Sequence, residues 1–221
     1  MINLKALSLL GVAGLVLAGA ETTQAQITKQ GDAYLFRIKF TPGQTIKYLM
    51  NMNMTGTPQP MNMNMTVSQK VKSVKGTTAT IEATTSGIPG QKPMTQTMTI
   101  DNRGRATGAG AAGGSQVAYP EGPVKVGQTW KGQLPGMGQG MGGDATYKLV
   151  AIKTVNGKQV AQVSLSMNLS QGTAMKMSGT GTMYIFMSDG SLSTMSMNTN
   201  MSMKQDKQTM NMKMNMTMKR G

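Results

Sequence analysis

The chain has 221 residues, with 22 Lys and Arg against 8 Asp and Glu, a net charge of +14, no His and no Cys. Without those two residue types, His-based triads, thiol chemistry, disulfides and imidazole or thiolate zinc centres are all excluded. The length suits one all-β domain, and 25 Met residues form the compositional anomaly.

Residues 1–25 read as a signal peptide. Lys5 supplies the positive n-region, and Leu7 to Ala20 is an apolar run carrying Leu9, Leu10, Val12, Leu15, Val16 and Leu17. Ala25 is the small residue before the cleavage point, with Thr23 two positions earlier. The run falls short of the roughly 20 apolar residues that a spanning helix needs. Cleavage after Ala25 is therefore expected, leaving residues 26–221 as a single domain in the periplasm or outside the cell. No Cys follows the run, so no lipid anchor is expected there. Cleavage removes Lys5 and Glu21 and leaves the charge at +14.

Alternation with period 2, the mark of strands with one buried face, then runs along the chain. Tyr34, Phe36, Ile38 and Phe40 alternate with Arg37 and Lys39, and Ile46, Tyr48, Met50, Met52 and Met54 alternate with Lys47, Asn51 and Asn53. Met61, Met63, Met65, Val67 and Val71 share the next face; Ala79, Ile81 and Ala83, then Met94, Met98 and Ile100, follow. In the second half the faces are Tyr147 and Leu149; Ala161, Val163, Leu165, Met167 and Leu169; Met175, Met177, Met183, Ile185 and Met187; Met195, Met197, Met201 and Met203; and Met210, Met212, Met214, Met216 and Met218.

Turn signals separate these runs. Asn156-Gly157 and Asp189-Gly190 are two-residue hairpin signals, and Pro42-Gly43 and Asp101-Asn102-Arg103-Gly104 are further turns. Thr55 to Pro60 joins two matched arms, Asn51-Met52-Asn53-Met54-Thr55 and Asn62-Met63-Asn64-Met65-Thr66. Ala106 to Ser115 and Pro135 to Gly143 read as loops. The segments 45–105 and 145–205 form a pseudo-repeat of strands and turns. The expected architecture is all-β: a strongly curved antiparallel sheet or open half-barrel of roughly ten strands, built from two meanders joined by the Trp130 segment, and preceded by a signal-peptide helix.

Two segments resemble motifs of an uncharacterised family of exported bacterial β-proteins, a DUF6263-like domain of unknown function. They are Pro120-Glu121-Gly122-Pro123-Val124-Lys125-Val126-Gly127-Gln128-Thr129-Trp130 and Gly181-Thr182-Met183-Tyr184-Ile185-Phe186-Met187-Ser188-Asp189-Gly190-Ser191-Leu192. The resemblance covers most of residues 30–205. It implies a long curved sheet and export, and it implies no activity, cofactor or site residue. The saturation with Met departs from that family's more ordinary apolar faces.

No catalytic residue, cofactor site or metal ligand is assigned. Asp32, Asp101, Asp144 and Asp189 sit in turn contexts, Glu82 lies on a polar strand face, and no spacing suggests a working carboxylate pair. The protein is read as non-enzymatic. Its basic charge suits an anionic envelope surface, whereas export and one Trp, five Tyr and three Phe not interleaved with the cations argue against nucleic acid. Three readings of the Met rows stay open. They fill the core. They line a concave surface, rimmed by cations, for an apolar or lipid-like ligand. Or their Met-x-Met clusters take Cu(I) or Ag(I), with Met210, Met212, Met214, Met216 and Met218 the strongest candidates, on a terminal strand at an accessible edge. A self-associating envelope protein is a further class, suggested by Asn51, Asn53, Asn62, Asn64, Asn211 and Asn215 opposite the Met rows, with Lys204, Lys207, Lys213 and Lys219 as gatekeepers against it. Oligomeric state is left open.

Overall fold

The computed structural model describes residues 27–56, 60–107, 119–133, 142–171, 175–205 and 208–221. The expected signal peptide, residues 1–25, and its expected helix lie outside the described residues. Among these residues every regular element is a strand. β1 (Ile27–Gln30) and β2 (Ala33–Phe36) form a hairpin. β3 (Thr45–Thr55), β4 (Met61–Lys75), β5 (Thr78–Ser86), β6 (Met94–Asp101) and β7 (Ala106–Thr107) form one meander. After the short β8 (Val124–Lys125), a second meander runs through β9 (Thr129–Gln133), β10 (Gly142–Val155), β11 (Lys158–Gln171), β12 (Met175–Phe186), β13 (Leu192–Gln205) and β14 (Gln208–Arg220).

The two meanders make one curved, open, antiparallel sheet of eleven strands in the order β7-β6-β5-β4-β3-β14-β13-β12-β11-β10-β9, and β1, β2 and β8 make a second sheet of three. The seam is the pairing of β14 with β3, from Lys213 opposite Thr55 to Arg220 opposite Tyr48. The Trp130 segment joins the meanders along the chain, supplying β8 to the small sheet and β9 to an edge of the large one, while the β3–β14 pairing joins them within the sheet. That pairing corrects the placing of Met210–Met218 at an accessible edge: β14 is an interior strand, paired on both sides.

Local chemistry explains most of the turns. Asn156 (φ 49°) and Gly157 (φ 74°) form the two-residue connection between β10 and β11, the left-handed geometry that twisted hairpins require. At Thr41–Gln44 the Gln44 amide donates to the Thr41 carbonyl at 3.0 Å around Gly43 at φ 78°. Asp189-Gly190 differs from expectation. β12 ends at Phe186 and β13 begins at Leu192, so the connection is a five-residue loop in which the Asp189 carboxylate accepts from the Ser191 amide and hydroxyl. The alternation read over 34–40 also stops early. After Phe36 the chain leaves β2, and the Ile38 and Lys39 amides donate to the carbonyls of Asn102 and Asp189. The first loop read from composition begins with β7, and Gly142 and Gly143 of the second belong to β10.

The small sheet packs on one face of the large one. Ile27, Phe36 and Val124 share a buried cluster with Ala145, Tyr147, Leu149, Ala161, Val163, Leu165 and Ile185. Phe36 is central: its ring lies 5.6 Å from Tyr119 and 5.7 Å from Trp130, which stacks on Tyr147 at 5.5 Å. Each such buried ring or aliphatic side chain contributes about 1.5–3 kcal/mol of transfer energy. A second cluster, Val71, Ala79, Ile81, Ala83, Met98 and Ile100, closes the other half. Arg37 straps the connection between the meanders, donating from Nη1 to the Pro120 carbonyl at 3.0 Å and from Nη2 to the Glu121 carbonyl at 2.6 Å. Burial, with Arg103 beside it, pulls the Arg37 pKa down.

Candidate binding surface

Residues opposite one another in a sheet point to the same side, so the strand registers place the methionines in rows across the inner face, the one the small sheet packs against. One row is Met63, Met52, Met216 and Met197, continuing through Gly181 and Leu165 to Tyr147 and Trp130. The next is Met65, Met50, Met218, Met195 and Met183, continuing through Val163 to Leu149. On the other side lie Met61, Met54 and Met214, continuing through Thr199 and Gly179 to Met167. Beyond them come Met212, Met201 and Met177, then Met210, Met203 and Met175.

On β4, β3 and β14 the rows form a three-by-three block: Met61, Met54, Met214; Met63, Met52, Met216; Met65, Met50, Met218. Met214 is buried, Met61 is 46% exposed, and the other seven are partly exposed. Only Met216 of the nine packs against either buried cluster. By contrast Met98, Met167, Met177, Met183 and Met197 are core residues.

The residue types change with burial. Where the inner face is covered, on β10 and β11, it is built from Ala145, Tyr147, Leu149, Ala161, Val163, Leu165 and Leu169 with one Met. Within β3 the buried Tyr48 gives way to Met50, Met52 and Met54, and within β4 the three Met residues precede Val67 and the buried Val71. Methionine thus predominates on the part of the inner face that stays open, and aliphatic and aromatic residues predominate on the closed part, where Met167, Met177, Met183 and Met197 are also buried.

The outer face is polar and cationic. Asn51 donates to the side-chain oxygens of Asn62 at 3.2 Å and Asn64 at 2.7 Å, forming a short amide ladder opposite the Met block. Lys47, Lys176, Lys204, Lys213 and Lys219 are exposed and alternate with inward residues. These five lysines therefore alternate to the other side of the sheet from the Met rows, whereas Arg220, two residues on from Met218, lies opposite Tyr48. Lys207 lies outside the described residues.

Comparison with known proteins adds little. No family model and no curated protein matches the chain. Among solved structures, a candidate exported protein of YmcC-like fold from Bacteroides fragilis is 10% identical, with 82% of this chain and 97% of that one covered at a TM-score of 0.39. A likeness at that score carries no inference about this chain.

The carboxylates are engaged in local structure. Asp101 is buried and accepts from the Arg103 and Arg105 amides and from Arg105 Nε at 2.7 Å. Asp189 takes Arg220 Nη1 at 2.7 Å as well as Ser191. Burial alone pushes the Asp189 pKa up, but the hydrogen bonds from Ser191 and Arg220 outweigh it and hold the group below the usual carboxylate range. Among the described residues no three His, Cys, Asp or Glu side chains cluster to hold a metal ion.

Two features were invisible in the sequence. The first is a cavity of about 130 Å³ between the two cores, lined by Ile38, Phe40, Tyr48, Ile81, Tyr119 and Met218 among others. It lies at the end of the Met block, and burial raises the hydroxyl pKa of Tyr48 beside it to about 12. The second is Phe186, whose ring carries Lys158 Nζ at 5.3 Å and the Arg220 guanidinium at 5.4 Å. Neither has a local sequence signal, because their members come from distant strands.

Proposed function

We propose that this is an exported, non-catalytic protein of the DUF6263-like kind, whose inner methionine surface holds an apolar or lipid-like molecule while its outer lysines face an anionic envelope surface. The carrying observation is the three-by-three Met block: a contiguous apolar patch on the inner side of a curved sheet, of which only Met214 is buried and only Met216 packs against a core cluster. Contiguous exposed apolar surface of this kind marks interaction sites, and unbranched thioethers repack around ligands of different shape. The segregation of Lys47, Lys213 and Lys219 to the opposite face supports simultaneous contact with an apolar molecule and an acidic surface.

Native mass spectrometry of the gently purified protein tests this reading. A co-purifying apolar mass, or a mass shift on titration with phospholipid, is the expected result. A clean unliganded mass that no lipid shifts would overturn it.

A further inference from the structure

We propose that the Met block on β3, β4 and β14 is a soft-metal site that takes Cu(I) or Ag(I) through thioether sulfur. The observation that carries it is not that the patch is apolar but that it is built of methionine. Elsewhere on the same face the two buried clusters are built mainly from Leu, Val, Ile, Ala and aromatic residues, with five methionines dispersed among them, Met98, Met167, Met177, Met183 and Met197. If Met were a general filler, it would be richest where packing is tightest. Its densest concentration is instead the block, nine methionines on three strands of which only Met214 is buried.

The geometry suits a three-coordinate thioether site. Facing residues of antiparallel strands stand about 4.5–5.5 Å apart at Cα, and successive inward residues of one strand about 6.8 Å apart. A Met side chain has three rotatable bonds, so three sulfurs from neighbouring lattice points, such as Met52, Met63 and Met216, converge on one ion above the sheet. Met52, Met63 and Met216 are the middle row of the block, and the proposed ion sits on them. With no Cys and no His anywhere in the chain, thioether is the only soft donor. A neutral all-thioether set favours Cu(I) and gives Zn(II) neither an imidazole nor an anionic ligand. Thioethers do not titrate near neutral pH, so affinity should be flat where thiolate or imidazole sites lose metal on acidification.

The test is competition against a Cu(I)-specific chelator under anaerobic conditions, with the purified protein, a Met52→Leu/Met63→Leu/Met216→Leu variant and a Met183→Leu control. Outer-shell changes alone typically weaken metal sites by about 10–100-fold, so losing three ligands should weaken Cu(I) binding by at least about tenfold, with Met183→Leu unchanged. Affinity should hold constant from pH 6 to 8, and Zn(II) should not compete. A second preparation, with norleucine replacing methionine throughout, keeps the unbranched shape and removes all sulfur, so a fold lost in the triple variant does not obscure the answer. That form should lose Cu(I) while still taking up an apolar fluorescent probe. No Cu(I) uptake by the unmodified protein, or equal uptake by the folded triple variant or the norleucine form, overturns the proposal. Its failure leaves lipid binding standing, and a clean unliganded mass in the lipid titration leaves the metal site standing.

Discussion

Met183→Ala should destabilise the protein several times more than Met61→Ala. Met183 sits on β12 with no exposed surface, between Val163 and Met195 on the neighbouring strands. Removing three side-chain heavy atoms from such a place costs about 2–5 kcal/mol, since a paired sheet cannot collapse into the void. Met61 is 46% exposed at an end of β4; its truncation leaves no closed cavity and costs about 1 kcal/mol of lost burial. Urea unfolding followed by the fluorescence of Trp130, the only Trp and itself buried, measures both. With a urea slope of about 2–3 kcal/mol per molar, the midpoint should fall by roughly 1 M or more for Met183→Ala and by less than about 0.5 M for Met61→Ala. Equal shifts would mean that the block is covered in solution, by a second copy or another part of the chain. The reasoning that treats it as open surface would then be refuted.

Two further outcomes are expected. Tyr119 donates its hydroxyl to the buried Gly190 carbonyl at 2.5 Å, so Tyr119→Phe keeps the ring contact with Phe36 but strands an acceptor, at about 1–3 kcal/mol in the same urea assay; a change below about 0.5 kcal/mol would deny that bond a structural role. Asp189 has a lowered folded-state pKa, so its stabilising contribution is fully present above its unfolded value near 4 and is lost as pH falls through the folded value. The difference in melting temperature between the unmodified protein and Asp189→Asn should therefore be largest at pH 5–7 and shrink toward pH 2, and a difference that does not vary with pH would contradict the assignment.

Strand positions and faces were legible because period-2 alternation is a local property. Met61, Met63 and Met65 were assignable to one side from four residues of context, and the matched arms around Thr55–Pro60 pair as the repeat implied, with Met52 opposite Met63 and Asn53 opposite Asn62. Strand partnership was not legible. Met-x-Met recurs on β3, β4, β12, β13 and β14, so hydrophobic pattern alone gives β14 no preference among them. Only the fold selects β3 on one side and β13 on the other. The small sheet was missed for a related reason. β1, β2 and β8 have four, four and two residues, too few for a period, and their stability comes from Phe36, Tyr119, Trp130 and Tyr147 meeting across the fold. For the candidate surface, the sequence carried the composition of the Met rows, and the structure separated those in the core from those in the open block. Alternation says that Lys47 and Lys213 point away from Met, not how far that keeps them from the patch.

The seam between β3 and β14 also sets an order of events during synthesis. Every other pairing in the large sheet joins strands consecutive in the chain, and each can form as soon as its hairpin exists. The central pairing alone brings together residues as remote as Met52 and Met216, so it carries the greatest loop-closure cost and is expected to form last. Until it does, the nascent chain holds two half-sheets, one of them exposing the unpaired side of β3 with its Asn-Met repeat, the low-charge kind of strand edge that recruits strands from other molecules. β14 is thus a closing clasp. Loss of its residues to truncation or proteolysis would not fray one end of the protein but would part it down the middle.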